Sequence, residues 1–194
     1  MQDFNSILEQ LTMLATEPRM VILFILLIAA AVIDYRSYRI PNWLTAGGTV
    51  FALIYSAVIP FSVHAGFLWA LGGLALGFLI MLPLYALGVM GAGDVKLMGM
   101  VGAFLGVSDI FYAALATFIV GGIAAVVYAL FNKALARMLG NVNNVVQYMM
   151  MSAIGGFTPS ARIEASQSVG KLPYGISISI GTIGYVVARQ LGYA

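Results

Sequence analysis

The sequence of 194 residues contains no cysteine and a single histidine, His64. Disulfides, thiolate zinc sites and cysteine nucleophiles are therefore excluded, and so is a multi-histidine metal centre. No metal and no cofactor is expected. Charge is also scarce. Asp, Glu, Lys and Arg make up 8% of the residues, against roughly 25% in an ordinary soluble domain. The net charge of +2 is too small to argue for a nucleic-acid partner. A basic leader region is missing as well: the first 19 residues carry Asp3, Glu9 and Glu17 against Arg19. The first apolar run is therefore expected to be retained as a span. What the chain has in abundance is apolar sequence, 62% of it hydrophobic. The runs are continuous rather than alternating, which disfavours a β-barrel. The expected class is all-α, a polytopic membrane protein whose solvent is the lipid bilayer.

Six spans are expected: Pro18 to Tyr35, Trp43 to Ile59, Gly66 to Val89, Val95 to Val107, Ile110 to Phe131, and Tyr174 to Ala188. Thr16 suits an N-cap and Pro18 a first helical turn. Pro83 is expected to kink the third span. The fourth span is shorter than the roughly 20 residues an upright crossing needs. Its polar start is therefore placed at the boundary of the hydrocarbon. Gly73 with Gly77, and Gly102 with Gly106, are small residues at helical spacing, as close helix packing requires. Between the last two spans, residues 132–172 read as a loop. Within it Val142, Val145, Val146, Met149 and Met150 recur at helical spacing among Asn and Gln, which predicts an interfacial amphipathic helix.

Basic residues orient the chain. With the N-terminus outside, Arg36, Arg39, Lys96, Lys133, Arg137, Arg162 and Lys171 fall on the cytoplasmic side, and Arg19 and Arg189 fall outside. Seven against two is a positive-inside pattern. The same orientation puts Asp34 and Asp94 at the cytoplasmic face.

Those two acids are the chemistry-bearing residues. Carboxylates near hydrocarbon are costly and usually functional. Asp34 ends the first span, where the helix dipole disfavours an anion. An interfacial acid paired with Arg36 or Arg39 is the plain alternative. Asp94 follows Gly91 and Gly93 at the start of the fourth span, where the dipole favours an anion and where an N-cap is the plain alternative. The two glycines permit a tight turn and a close approach by another part of the chain. If the fold brings the acids together, they share one proton and titrate as a unit. The ionised member can then take a proton from water while the protonated member polarises a carbonyl. On helix ends alone, the shared proton belongs to Asp34.

Three segments carry a family resemblance: IDYRSYRIPNWLT, GAGDVK and KLPYGISISIG. They resemble the signatures of type IV prepilin peptidases, membrane aspartic peptidases whose second catalytic aspartate lies in a GxGD turn. The resemblance implies that Asp34 and Asp94 are the catalytic pair of one membrane-embedded peptidase domain spanning residues 1–194. It implies an endopeptidase that removes the short basic leader of pilin-like precursors at the cytoplasmic face of a bacterial inner membrane. The likeness is to the small form found with tight-adherence pili. The larger form carries a four-cysteine insertion and often also methylates the new N-terminus. With no cysteine here, and six residues between Asp34 and Pro41, methyltransferase activity is not expected.

Supporting or substrate-contacting roles are expected for Gly91, Gly93, Lys96, Pro41, Asn42, Pro173, Tyr174 and Gly175. Each has a plainer alternative. Pro41 and Asn42 suit turn chemistry and capping. Lys96 suits a snorkelling anchor. Pro173 to Gly175 suit the start of a helix. Two other functions stay open at this point. One is a related GxGD protease that cuts within a membrane span. The other is a non-enzymatic channel or transporter subunit using intramembrane acids. The substrate's identity and the oligomeric state are not readable from the sequence.

Overall fold

A computed structural model describes residues 17–59, 66–131 and 173–192, with Gly140 and Gln147. These residues are helical apart from short connectors. In chain order the helices are α1 (Pro18–Ser37), α2 (Asn42–Val58), α3 (Phe67–Ala86), α4 (Ala92–Phe131) and α5 (Tyr174–Gln190). Thr16 and the amphipathic segment expected within 132–172 lie outside the described residues, apart from Gly140 and Gln147. Glu17 holds the N-cap position of α1 without a side-chain bond, and Pro18 occupies the first turn. Pro83 sits in the last turn of α3, and the helix ends three residues later.

Three helices, α1, α3 and α4, are long and apolar enough to cross a membrane. α2 and α5 have 17 residues each. The main departure from expectation is α4. The fourth and fifth spans run on as one helical stretch of 40 residues, broken only where Gly106 takes φ 76° and ψ −175°. The break falls at Gly106 because an L side chain is strained at positive φ. Trp69 adds a second reason: a Cβ at Gly106 would lie 1.9 Å from its ring.

The first half of α4 is the core of the bundle. Leu97, Met98, Met100, Val101, Ala103 and Phe104 are fully buried. α3 approaches this half so closely that side chains are excluded from both helices. A Cβ at Gly73 would lie 2.0 Å from the Gly102 carbonyl oxygen, and one at Gly102 equally close to that of Gly73. One turn along, a Cβ at Gly77 would meet the Met98 carbonyl at 2.5 Å. The two glycine pairs read from the sequence are thus the two sides of one helix contact. Apolar side chains such as Ile25, Ile28, Leu68, Leu79 and Ile123 point outward. That pattern fits lipid as the surrounding medium, where apolar surface needs no cover.

The bundle has two polar ends. At one, the Arg19 guanidinium donates to the Ala103 carbonyl (3.1 Å) and stacks 4.7 Å above Trp69. Arg189 pairs with Asp109 nearby along α4, and the Tyr185 hydroxyl donates to Asp109 (2.9 Å). At the other end lie the last turn of α1 and the first turns of α2, α4 and α5.

Candidate active site

The second end gathers the residues singled out from the sequence. Asp34 lies in the last full turn of α1 and is buried, 5% exposed. The chain stops its helix there because Tyr38 turns left-handed (φ 51°) and returns its N–H to the Asp34 carbonyl (2.8 Å). The Asp34 carboxylate then accepts the N–H of Gly175 (2.8 Å), 141 residues away on the first turn of α5. A side chain at 175 would push against that carboxylate. A Cβ there would lie 2.8 Å from Asp34 Oδ2 and 3.1 Å from its carboxyl carbon.

Asp94 is the third residue of α4, not its N-cap, and is 8% exposed. Its carboxylate reaches back to accept the Gly91 N–H (2.9 Å), while its own N–H donates to the Gly91 carbonyl (3.1 Å). This is the reciprocal geometry of a capping box, with the acid three residues inside the helix. Gly93 faces Ile40 from the α1–α2 connector. A Cβ at 93 would lie 3.2 Å from that of Ile40.

The two carboxyls are within electrostatic reach of each other, and the Tyr174 hydroxyl is within reach of Asp94. Among the described residues neither acid forms an ion pair; the one salt bridge is Arg189 with Asp109. The expected alternative for Asp34, pairing with Arg36 or Arg39, is therefore not what the structure holds. The helix-end distinction between the acids also weakens. Asp34 closes its own helix at the carbonyl end but receives an N–H from the amide end of α5, so helix ends no longer single out one proton holder.

Lys96 does not bind Asp94. Its ammonium donates to the Asn42 side-chain carbonyl (2.8 Å), an exposed contact that ties the start of α2 to the first turn of α4. Pro41 is the N-cap residue of α2, and its carbonyl accepts from Leu44 (3.2 Å) and Thr45 (3.4 Å). Pro173 plays the same part for α5, accepting from Ile176 (3.2 Å). Both prolines thus do the helix-start work named as the plainer alternative.

Two features were not foreseen. Ser179 donates to Leu27 (2.8 Å) and to its own helix at Gly175 (2.7 Å), fixing α5 against α1. A serine among isoleucines was its only sequence signal. Asp109 lies in the junction between the two expected spans, and its pairing with Arg189 is a tertiary contact that spacing alone does not show.

No curated protein and no solved structure matches the chain. Residues 21–126, more than half of it, match the type IV leader peptidase family. The matched stretch contains both Asp34 and Asp94, and ends before Gly175. The chain belongs to the type IV leader peptidase family.

Proposed function

We propose that Asp34 and Asp94 are the catalytic pair of this enzyme. Membership of the family makes the chain an aspartic endopeptidase acting on type IV pilin-like leader sequences. The observation that carries the assignment is the state of the two acids. They are buried, within electrostatic reach of each other, held by main-chain N–H groups and, among the described residues, left without a cation. Two carboxyls so placed hold one proton between them. The ionised member takes a proton from a water, whose oxygen adds to the scissile carbonyl carbon. The protonated member gives its proton to the carbonyl oxygen, leaving a neutral gem-diol. Collapse of the gem-diol breaks the C–N bond. The nitrogen takes one proton, the new carboxyl keeps its oxygen from water, and the dyad is again singly protonated.

The proposal extends to topology. Six crossings follow if α4 counts as two, and its 40 residues rise about 60 Å, twice a hydrocarbon core of about 30 Å. The charge asymmetry puts the acids at the cytoplasmic face, where a basic leader lies. The whole chain acts as one peptidase domain of the small form, without methyl transfer, and 132–172 forms a cytoplasmic loop with an interfacial helix.

The test is a gel-shift assay of a co-expressed precursor. Asp34→Asn and Asp94→Asn each abolish leader removal while the protein still inserts. Appreciable processing by either variant contradicts the pair. Ser37→Cys labels only from the cytoplasm; labelling from outside inverts the topology.

A further inference from the structure

The connector between α1 and α2 passes through Arg39, Ile40 and Pro41 without forming helix. Ile40 is anchored. The residue is 9% exposed and belongs to the central apolar cluster. Its backbone is restrained too, because a residue before proline is pushed to extended geometry. Pro41 continues that geometry with φ −66° and ψ 139°.

Several main-chain groups of its neighbours are occupied. The Tyr38 N–H goes to Asp34, the Arg39 carbonyl accepts from Ser37 (3.1 Å), and the Pro41 carbonyl accepts from α2. Among the described residues nothing pairs with the N–H or the C=O of Ile40. Main-chain polar groups of well-packed residues are paired in the great majority of cases. The unpaired donor and acceptor sit at a telling place. A Cβ on Gly93 would come 3.5 Å from the Ile40 nitrogen. Ile40 is thus beside the residue that precedes Asp94, and six positions beyond Asp34.

We infer that the main chain of Ile40 is the docking edge for the substrate peptide. Its N–H donates to one carbonyl of the leader backbone and its C=O accepts an N–H from the same residue. This is the exchange made by a hydrogen-bonded antiparallel pair. The leader then lies extended past Asp34 and Asp94, with its scissile carbonyl exposed to both. Docking through main-chain groups reads backbone rather than side chains. The inference rests on the assignment of the two acids as the catalytic pair.

Its test uses purified full-length enzyme in detergent and a synthetic precursor peptide in which each backbone amide near the cleavage point is replaced in turn by an ester. Wild-type enzyme shows one position, away from the scissile bond, where the ester lowers kcat/KM by about 3- to 10-fold, the loss expected for one main-chain hydrogen bond. Ile40→Pro keeps the extended geometry but lacks the N–H, and per folded molecule it loses a similar factor relative to Ile40→Val, which keeps the N–H. The two changes remove the two different hydrogen bonds of one residue pair; loss of the Ile40 N–H loosens the same substrate residue, so in Ile40→Pro the ester penalty at that position shrinks by coupling. An ester scan with no such position in wild-type enzyme overturns the proposal. So does an ester penalty that is unchanged in a folded Ile40→Pro. If Asp34→Asn or Asp94→Asn retains turnover, the catalytic assignment fails; if both lose it while the ester scan is flat, only the docking edge fails.

Discussion

The two ends of the bundle treat buried acids in opposite ways. Asp109 is 7% exposed and is met by the Arg189 guanidinium and the Tyr185 hydroxyl. Asp34 and Asp94 are about as buried, yet each is held by a neutral main-chain N–H and, among the described residues, neither has a cation. A buried charge costs several kcal/mol unless it is paired and hydrogen-bonded. Where an acid serves only to join α4 to α5, the fold supplies the cation. Where two acids stand together, it supplies N–H groups that orient them and leaves the charge available. The buried Arg19, with a carbonyl and a tryptophan face as partners, belongs to the joining end.

The largest effect that sharpens this contrast comes from α5. Gly175→Ala drives a methyl into Asp34, and a displacement of about 1 Å at a reacting group can cost about 100-fold in rate. The expected result is a loss of that order in kcat. Gly184→Ala on the same helix, where a Cβ meets nothing within 4 Å, keeps wild-type kcat. Equal activity in both variants would mean that α5 does not set the Asp34 carboxyl.

The joining end predicts a different signature. Asp109→Asn and Arg189→Gln lower stability by about 1–2 kcal/mol, since the arginine side chain is 46% exposed and partly screened. Thermal unfolding in detergent should show a Tm about 3–6 °C lower, with kcat per folded molecule unchanged. A loss of kcat with unchanged Tm would erase the distinction between the two ends.

The smallest effect is at Lys96. Its ammonium is engaged by Asn42 at an exposed position, so Lys96→Gln removes a contact worth at most about 1 kcal/mol. The change in kcat/KM should stay below about fivefold. A larger loss would place the ammonium on the substrate.

The contrast between the ends also marks what was legible beforehand. Asp34, Asp94 and the three motif segments stood out because an acid or a glycine turn in apolar sequence has few neutral explanations. Gly73, Gly77, Gly102 and Gly106 were readable as packing residues from their spacing. That they face one another was not, because pairing is a property of two helices. The location of the break in α4 was misplaced by a few residues. The expected spans part between Val107 and Ile110, whereas the bend is set by Gly106 against Trp69, a contact between helices that hydropathy does not encode. The partners of the charges were hidden for the same reason. Lys96 meets Asn42 rather than its near neighbour Asp94, and Asp109 meets Arg189 across 80 residues. Ile40 lies within a motif segment, but its main-chain role was hidden, since an unpaired main-chain group carries no residue type.

The central claim is that Asp34 and Asp94 carry the chemistry and that burial alone does not confer it. Three purified variants, Asp34→Asn, Asp94→Asn and Asp109→Asn, can be compared in one assay of precursor cleavage, each with its folded fraction measured in the same preparation. The account predicts no detectable turnover for the first two at full folded fraction, and wild-type turnover per folded molecule for the third. Turnover by Asp34→Asn or Asp94→Asn, or its loss in folded Asp109→Asn, would contradict it.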